Sequence, residues 1–348
     1  GLAHGVFFAI ASTIATDLVE PEKESSAIAL VFLGLTVALV TGVPLGTFIG
    51  QSFGWQSTFL GVVALGVFNQ IVVVDDGSAF PVSTDKAQVF RRDPATGPGP
   101  ARNFGLKQIT TDHVLFFDSD DEITHEIVPL WRDLAQKDFD FCLFRHADTR
   151  QISNGHWHQM RDDDALWKLA GMGGLHLQPV SQKSATWLAQ TANYPWNKIY
   201  RTNFLREANI HFPDLRLHED IAPHWQSFAR AKTILASDRI CATHKVSLDG
   251  ARMTNARGPE RISAISSLRE ISHSLHYPLR GAFLHFISGL FDWIFNHIDS
   301  RWRAELLASV REFWLYTLQP DDEERLISND PVLALRIGLQ MAGRLETC

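Results

Sequence analysis

A long uncharged segment near the start of the chain limits its possible folds more than any other feature. The residues from Ala27 to Gly50 include no charged side chain, and roughly 20 apolar residues are enough for a helix to cross a bilayer. The segment from Gly1 to Val19 is also apolar apart from His4 and Asp17. We therefore predict transmembrane helices within residues 1–68 and attachment of the chain to a membrane.

The composition excludes several other classes of protein. The chain has 348 residues and a net charge of -7, whereas a domain that tracks nucleic-acid phosphates is normally basic. We expect no nucleic-acid partner. The three cysteines, Cys142, Cys241 and Cys348, are too few and too scattered for a disulfide framework or a zinc cluster. The length favours about two domains.

The membrane segment carries a recognisable pattern of small residues. Residues 42–47 read Gly-Val-Pro-Leu-Gly-Thr and are followed by Gly54, Trp55 and Phe59. The pattern resembles the fifth span and following turn of major facilitator efflux proteins, close to the sugar-efflux branch. Any polytopic helix with small residues at its contacts is the alternative. Because a carrier's substrate site lies between two repeats, a fragment of this size is not expected to transport alone.

An apolar run that ends in carboxylates marks a second region. Val114 to Phe117 is followed by Asp118, Asp120 and Asp121, as expected for a buried strand leaving the core. In open α/β sheets, ligands bind outside the carboxyl ends of the strands, and carboxylates there can hold a hard divalent cation. The alternative is a solvated turn in which Asp120 or Asp121 caps the next helix.

Two further blocks precede this run. Ile71 to Val74 leads into Asp-Asp-Gly-Ser at residues 75–78, which predicts a buried parallel strand and a tight turn. A glycine- and proline-rich stretch at residues 97–100 then precedes Arg102 and Asn103. Glycines allow close approach of the backbone to a ligand, and an arginine can offset phosphate charge.

A fourth block lies downstream. Trp196-Asn197-Lys198 is followed by His218-Glu219-Asp220 at the start of a predicted helix. Acids at a helix N-terminus are also favoured by the macrodipole alone, and a lysine beside aromatic residues is often a surface residue whose stem lies on apolar groups. The order of the blocks is therefore more informative than any one of them.

The four blocks together resemble the inverting family-2 glycosyltransferases of the GT-A fold, over about residues 69–255. The resemblance implies an α/β nucleotide-diphospho-sugar transferase domain. It implies transfer of a sugar from a nucleotide-diphosphate donor, a UDP-sugar above all, to the hydroxyl of a saccharide or lipid-linked acceptor. It also implies Mn²⁺ or Mg²⁺ as cofactor.

The resemblance also assigns roles to individual residues. The nucleotide-sugar-binding residues would be Asp75, Asp76, Gly77, Ser78, Arg102, Asn103 and Asp118. The acceptor-side residues would be Trp196, Asn197 and Lys198, and the metal ligands Asp118, Asp120 and His244. Asp220 would be the general base, with Glu219 as the alternative, and Asp121 would cap a helix that begins near Ile123.

Periodic patterns complete the prediction. Ile123, Ile127, Leu130 and Leu134 share one helical face, whereas Phe139, Phe141 and Leu143 alternate as in a half-buried strand. Residues 256–348 form a predicted helical C-terminal extension. Its apolar stripe, which includes Phe283 and Ile287, is typical of a core or interaction face, and a helix on a membrane surface is the alternative.

One expected part of the fold is missing from the sequence. Family-2 members begin with a strand ending in Pro-x-Tyr-Asn and a helix, but here the carrier-like segment takes their place and joins at about Phe68 to Gln70. We expect a sheet without its usual first strand, with exposed strand edges and impaired activity. A non-catalytic membrane protein or a fusion product is the alternative. The expected location is a bacterial membrane, with the transferase domain in the cytoplasm.

Overall fold

The computed structural model describes residues 68–174, 176–246 and 256–345. The chain divides into two units, Gly1–Leu65 and Gly66–Cys348, and every described residue belongs to the second. The predicted transmembrane helices lie outside the described residues, apart from the last residue of their segment. The domain boundaries at residues 68 and 255 stay predictions.

The first described strand follows from a run of β-branched residues. Strand β1 (Val72–Asp76) pairs in parallel with β2 (Gln88–Arg92), so the parallel strand predicted before the Asp-Asp-Gly-Ser turn is present. It is less buried than predicted, because Asp75 is the one buried residue of its five. Helix α1 (Pro98–Gln108) packs on β1, where a Cβ at Gly105 would lie 3.3 Å from Val74. Among the described residues, β1 and β2 form a sheet of their own.

A second sheet of six strands forms the centre of the fold. Five of its strands follow the order β3-β7-β5-β8-β4. The sixth strand, β6, pairs with residues 235–236 of β8, whereas β4 pairs with residues 242–243 of the same strand. The strands β5 and β8 run parallel and the other pairs are antiparallel. The bounds are β3 His113–Val114, β4 Glu122–Ile123, β5 Phe141–Asp148, β6 Gln178–Pro179, β7 Lys198–Arg201 and β8 Ile234–His244.

Two other strand predictions need correction. The strand at β5 is not half-buried, because seven of its eight residues are buried; it lies in the interior of the sheet, between β7 and β8. The run from Val114 to Phe117 is a strand only at its first residue. Phe116 is nevertheless buried and packs edge-on against Tyr200 and Phe212.

The helix predicted from Ile123 begins later. Helix α2 spans Ile127–Leu134, and Ile123 lies in β4 instead. All four residues of the predicted stripe are buried. The three-to-four-residue spacing was therefore informative about burial, but Ile123 reaches the core by pairing with Ala242 of β8.

The remaining helices surround the sheet and build the C-terminal region. Before the C-terminal region they are α3 Thr149–Ile152, α4 Arg161–Leu169, α5 Gln182–Leu188, α6 Thr202–Glu207 and α7 Ile221–Arg230. The C-terminal region contains α8 Glu260–Ser274, α9 Leu279–His297, α10 Arg303–Thr317, α11 Pro320–Asn329 and α12 Pro331–Met341.

The C-terminal helices share a core with the sheet domain. On α9, Phe283 and Ile287 are completely buried, and the ring of Phe283 meets that of Trp225 on α7 edge-on at 5.0 Å. The stripe on α9 is thus a core face, the first of the two interpretations of its pattern. Within the described part of the chain, no helix combines the length and apolar character needed to span a bilayer.

Candidate active site

An arginine joins two of the predicted sequence blocks. Arg102 of α1 donates from Nη2 to Asp118 Oδ1 at 2.6 Å and from Nη1 to Glu219 Oε1 at 2.7 Å. The ring of Phe212 lies 5.3 Å from its guanidinium carbon. Burial alone would lower the pKa of Arg102, but the charges of Asp118 and Glu219 outweigh burial and raise it. Arg102 is therefore a permanent cation between two carboxylates.

Asp220 lies next to this arrangement, immediately before the first residue of α7. The chain reaches it through His218, whose φ of 63° is left-handed; this turn places Glu219 and Asp220 ahead of the helix. Burial, and then the neighbouring charge of Glu219, raises the pKa of Asp220 to about 7, against the opposing effect of Arg102 and Lys198. A carboxylate that is partly exposed and titrates near neutral pH is suited to accept a proton.

The predicted acceptor-side block is buried near Asp220, whose charge acts on Lys198. Trp196, Asn197 and Lys198 are all buried, and Lys198 has no exposed surface. Its ammonium donates to Asn197 Oδ1 at 2.6 Å and to the carbonyl of Tyr194 at 2.7 Å. Burial lowers the pKa of Lys198 to about 7. The contact of these residues with an acceptor stays a prediction.

The carboxylates of the Asp-Asp-Gly-Ser turn have protein partners. Asp75 accepts from the backbone of Ser78 and Val82, each at 3.0 Å, and from Arg91 at 2.8 Å. Hydrogen bonding, chiefly from Ser78, outweighs burial and holds the pKa of Asp75 well below its usual range. Gly77 has a φ of 77°, which lets the turn close.

The second acid of that turn shapes the entry to α1. Asp76 accepts from the backbone of Gly97 at 2.7 Å and from both the amide and the hydroxyl of Thr96 at 3.0 Å. A Cβ on Gly99 would lie 2.2 Å from the carbonyl oxygen of Pro213. The glycine at 99 thus permits close approach of the protein's own backbone, whereas the sequence pattern predicts close approach of a ligand.

Asn103 forms a closed pair of hydrogen bonds with the same segment. Its Nδ2 donates to the carbonyl of Phe212 at 2.7 Å, and its Oδ1 accepts from the amide of Phe212 at 2.9 Å. The amide side chain therefore attaches α1 to the stretch before His218. Its predicted contact with the nucleotide stays a prediction.

The predicted metal ligands do not form one cluster. Asp118 is bound to Arg102, and Asp120 is exposed. Asp121, which we expected to cap a helix, instead accepts from the amide of Lys245 at 2.9 Å and lies 3.4 Å from Nδ1 of His244. It cannot cap α2, because that helix begins after Glu126. No three His, Cys, Asp or Glu side chains in the described ranges are placed to hold a metal.

Sequence reasoning missed two residues around the site. The ring of Tyr194 packs against those of Trp196, at 4.6 Å, and His244, at 4.8 Å, and these two rings are 5.8 Å apart. Asp163 of α4 is buried, which raises its pKa to about 6, and its charge acts on Lys198. The aromatic density of Tyr-Pro-Trp at residues 194–196 was an available signal for Tyr194, whereas Asp163 sits among three consecutive acids that are typical of a solvated helix start.

The N-terminal part of the chain is similar to membrane transport proteins. A family model for the Major Facilitator Superfamily matches residues 1–169. The uncharacterized MFS-type transporter YtbD of Bacillus subtilis is 52% identical over 79 residues, which are 23% of this chain and 19% of that protein. A probable sugar efflux transporter of Pasteurella multocida is 38% identical over 68 residues, 19% of this chain and 17% of that protein.

These matches confirm the predicted major facilitator fragment. The chain spans about a fifth of the length of these curated relatives. The family match extends beyond the predicted limit of residue 68 into a range whose described part, residues 68–169, folds as strands and helices of the α/β region.

The described fold has a match among solved structures. S. aureus TarS 1-349 in complex with UDP-GlcNAc aligns with 81% of this chain and 84% of its own, with a TM-score of 0.59 and 19% sequence identity. The chain has the fold of TarS. The structure of TarS 1-349 in complex with UDP gives a TM-score of 0.58 at 19% identity. The predicted mixed α/β fold is thereby confirmed, and at this identity the likeness concerns the fold alone.

Proposed function

We propose that the region from residue 69 to residue 255 is a glycosyltransferase that moves a sugar from a nucleotide-diphosphate donor to an acceptor hydroxyl. The observation that carries the proposal is the place of Asp220 beside the Arg102–Glu219 pair, where burial and the charge of Glu219 raise the pKa of the Asp220 carboxylate. The TarS fold supports it, because that protein was solved with UDP-GlcNAc and with UDP. A UDP-sugar is the proposed donor.

The proposed chemistry is a direct displacement with inversion. Asp220 takes the proton of the acceptor hydroxyl, whose oxygen forms a bond to the anomeric carbon of the sugar. The bond from that carbon to the diphosphate oxygen breaks, and its electron pair leaves with UDP. Glu219 is less suited to be the base because it is already bound to Arg102 at 2.7 Å.

Metal dependence is part of the proposal only as an expectation. Mn²⁺ or Mg²⁺ would be held by Asp118 and Asp120, and His244 was the third predicted ligand. These side chains do not meet as a ligand set in the described structure, so no step of the proposed reaction is routed through a metal. Calorimetric titration of the chain with UDP, once in the presence of Mn²⁺ and once in the presence of EDTA, tests the expectation directly.

The proposed setting is a bacterial membrane. The major facilitator match supports membrane association through residues before 68, and the transport proteins matched are bacterial, one of them an inner-membrane protein of Escherichia coli. We propose that the transferase region lies on the cytoplasmic side and that a saccharide or lipid-linked molecule is the acceptor.

A non-catalytic membrane protein is the competing proposal. It is favoured by the internal hydrogen bonds that already engage Asp75, Asp76 and Asn103. Calorimetry with UDP and UDP-GlcNAc, together with an assay for UDP release, separates the two. The control variant is Asp214→Asn, which changes an exposed acid on the same stretch. The transferase is supported if the wild type binds nucleotide and if UDP release disappears in Asp220→Asn but persists in Asp214→Asn. No heat with either nucleotide supports the non-catalytic protein.

A further inference from the structure

The arginine at position 102 bridges two parts of the site that are distant in sequence. Asp118 lies 16 residues from it and Glu219 lies 117 residues from it. One terminal nitrogen of the guanidinium bonds to Asp118 at 2.6 Å and the other bonds to Glu219 at 2.7 Å. Only 13% of the Arg102 side chain is exposed. Phe212 covers part of the remaining surface.

We propose that Arg102 is a positioning residue of the transfer reaction, which holds Asp118 and Glu219 on either side of the site and does not bind the diphosphate. This inference rests on the proposed function. It differs from the role that the sequence resemblance implied for Arg102, which was contact with the nucleotide sugar.

The charges around Asp220 explain why such a residue is needed. Glu219 is its direct neighbour in the chain, and two adjacent carboxylates repel each other. Arg102 balances the charge of Glu219 and fixes its position, so that Glu219 is held away from an incoming hydroxyl while Asp220 is left to accept the proton. Without Arg102, Glu219 would be free to turn and its charge would be unpaired in a half-covered site.

The test compares Arg102→Gln, Glu219→Gln and the double variant by UDP calorimetry in EDTA buffer, where Asp118 holds no metal, and by steady-state hydrolysis of UDP-GlcNAc in Mn²⁺ buffer. A positioning role predicts that Arg102→Gln lowers kcat roughly 100-fold, as expected for misplaced groups, with the Kd for UDP in EDTA changed less than about 3-fold. The double variant should then regain about 10-fold in kcat over Arg102→Gln, because the unpaired charge is gone.

Arg239 provides a matched control. It also bridges two carboxylates, Glu126 at 2.9 Å and Asp133 at 3.1 Å, with 16% of its side chain exposed. Glu126 directly precedes α2 and Asp133 lies within it, and neither belongs to the predicted site residues. Arg239→Gln should leave kcat within about 2-fold of the wild type, since surface pairs contribute little beyond local stability. Thermal melts of all variants establish that each one folds.

Two results overturn the inference, and they differ from each other. If Arg102 bound the diphosphate, Arg102→Gln would weaken UDP binding about 10-fold or more, the loss expected for a charge-assisted hydrogen bond, and Glu219→Gln would not rescue it. That result in an active wild type removes only the role given to Arg102. A folded wild type that neither binds UDP nor turns over UDP-GlcNAc removes the proposed function and the role of Arg102 in it.

Discussion

Two arginines of this chain meet carboxylates in opposite ways. In the C-terminal helices, Arg280 and Asp322 form a buried pair with 2% and 1% of their side chains exposed. Every nitrogen of the Arg280 guanidinium donates, to Asp322, to Ser272 or to the carbonyl of Thr317. Tyr277 also donates to Asp322 at 2.9 Å. Charges and hydrogen bonds are balanced, and nothing is left for a ligand.

Arg102 shares its single charge between two carboxylates while a third, Asp220, stands beside them. The site thus carries an excess of negative charge in a partly covered place, which is costly for folding. A balanced pair fastens helices to each other, whereas an unbalanced group keeps a carboxylate reactive near neutral pH. Removing single members of each group should therefore affect different properties of the protein.

The largest expected effect is the loss of transferase activity in Asp220→Asn. Asp220→Asn removes the proposed base and should lower UDP release from UDP-GlcNAc by about 10²- to 10⁴-fold, the usual contribution of a general base. The Kd for UDP should change less than about 3-fold. Asp214→Asn, on the exposed stretch before it, is the control and should behave as the wild type. Equal loss in both variants would sink the assignment.

The next effect is on stability and concerns the balanced pair. Arg280→Met leaves Asp322 buried without its cation and should lower the free energy of unfolding in urea by about 3–5 kcal/mol. UDP binding at low temperature should not change. The double variant Arg280→Met/Asp322→Leu should recover much of the loss, because no buried charge remains. Arg269→Met removes a more exposed pair with Glu312 and should cost less than about 1 kcal/mol.

Several residues of the site were predictable from the sequence. Arg102, Asp118 and Glu219 were each singled out from local blocks, and the structure brings them into direct contact. The strand before the Asp-Asp-Gly-Ser turn was also predictable, because a run of β-branched residues between turn residues has few other solutions.

What could not be predicted depends on the register of distant segments. The closeness of Gly99 to the carbonyl of Pro213 and the pairing of Ile123 with Ala242 join residues more than 100 positions apart. Local periodicity carries no information about such partners. The burial of Lys198 was missed for the same reason, since a lysine in isolation is expected at the surface.

A third prediction concerns pH. Because burial and Glu219 raise the pKa of Asp220 to about 7, a base at this position loses its function below that pH. The kcat/KM for UDP-GlcNAc should fall about tenfold for each pH unit below 7 and level off above it. A flat profile between pH 5 and pH 8 would contradict the role of Asp220.

The same shift has an opposite consequence for stability. A raised pKa means that the folded protein binds the proton more tightly than the unfolded chain does. The resulting stabilisation is complete below about pH 4, declines as the pH rises, and is absent above pH 7. Asp220→Asn should therefore melt at a higher temperature than the wild type at pH 8, and the difference should shrink towards pH 4.

The smallest effect is expected for a short ion pair between two exposed side chains. Lys245 and Glu122 approach to 2.9 Å, with 50% and 38% of their side chains accessible. Lys245→Ala should change the free energy of unfolding by less than about 1 kcal/mol, and by less still in high salt. The amide of Lys245 that binds Asp121 is kept in this variant. A loss comparable to that of Arg280→Met would mean that distance, and not burial and charge balance, determines which pairs stabilise this fold.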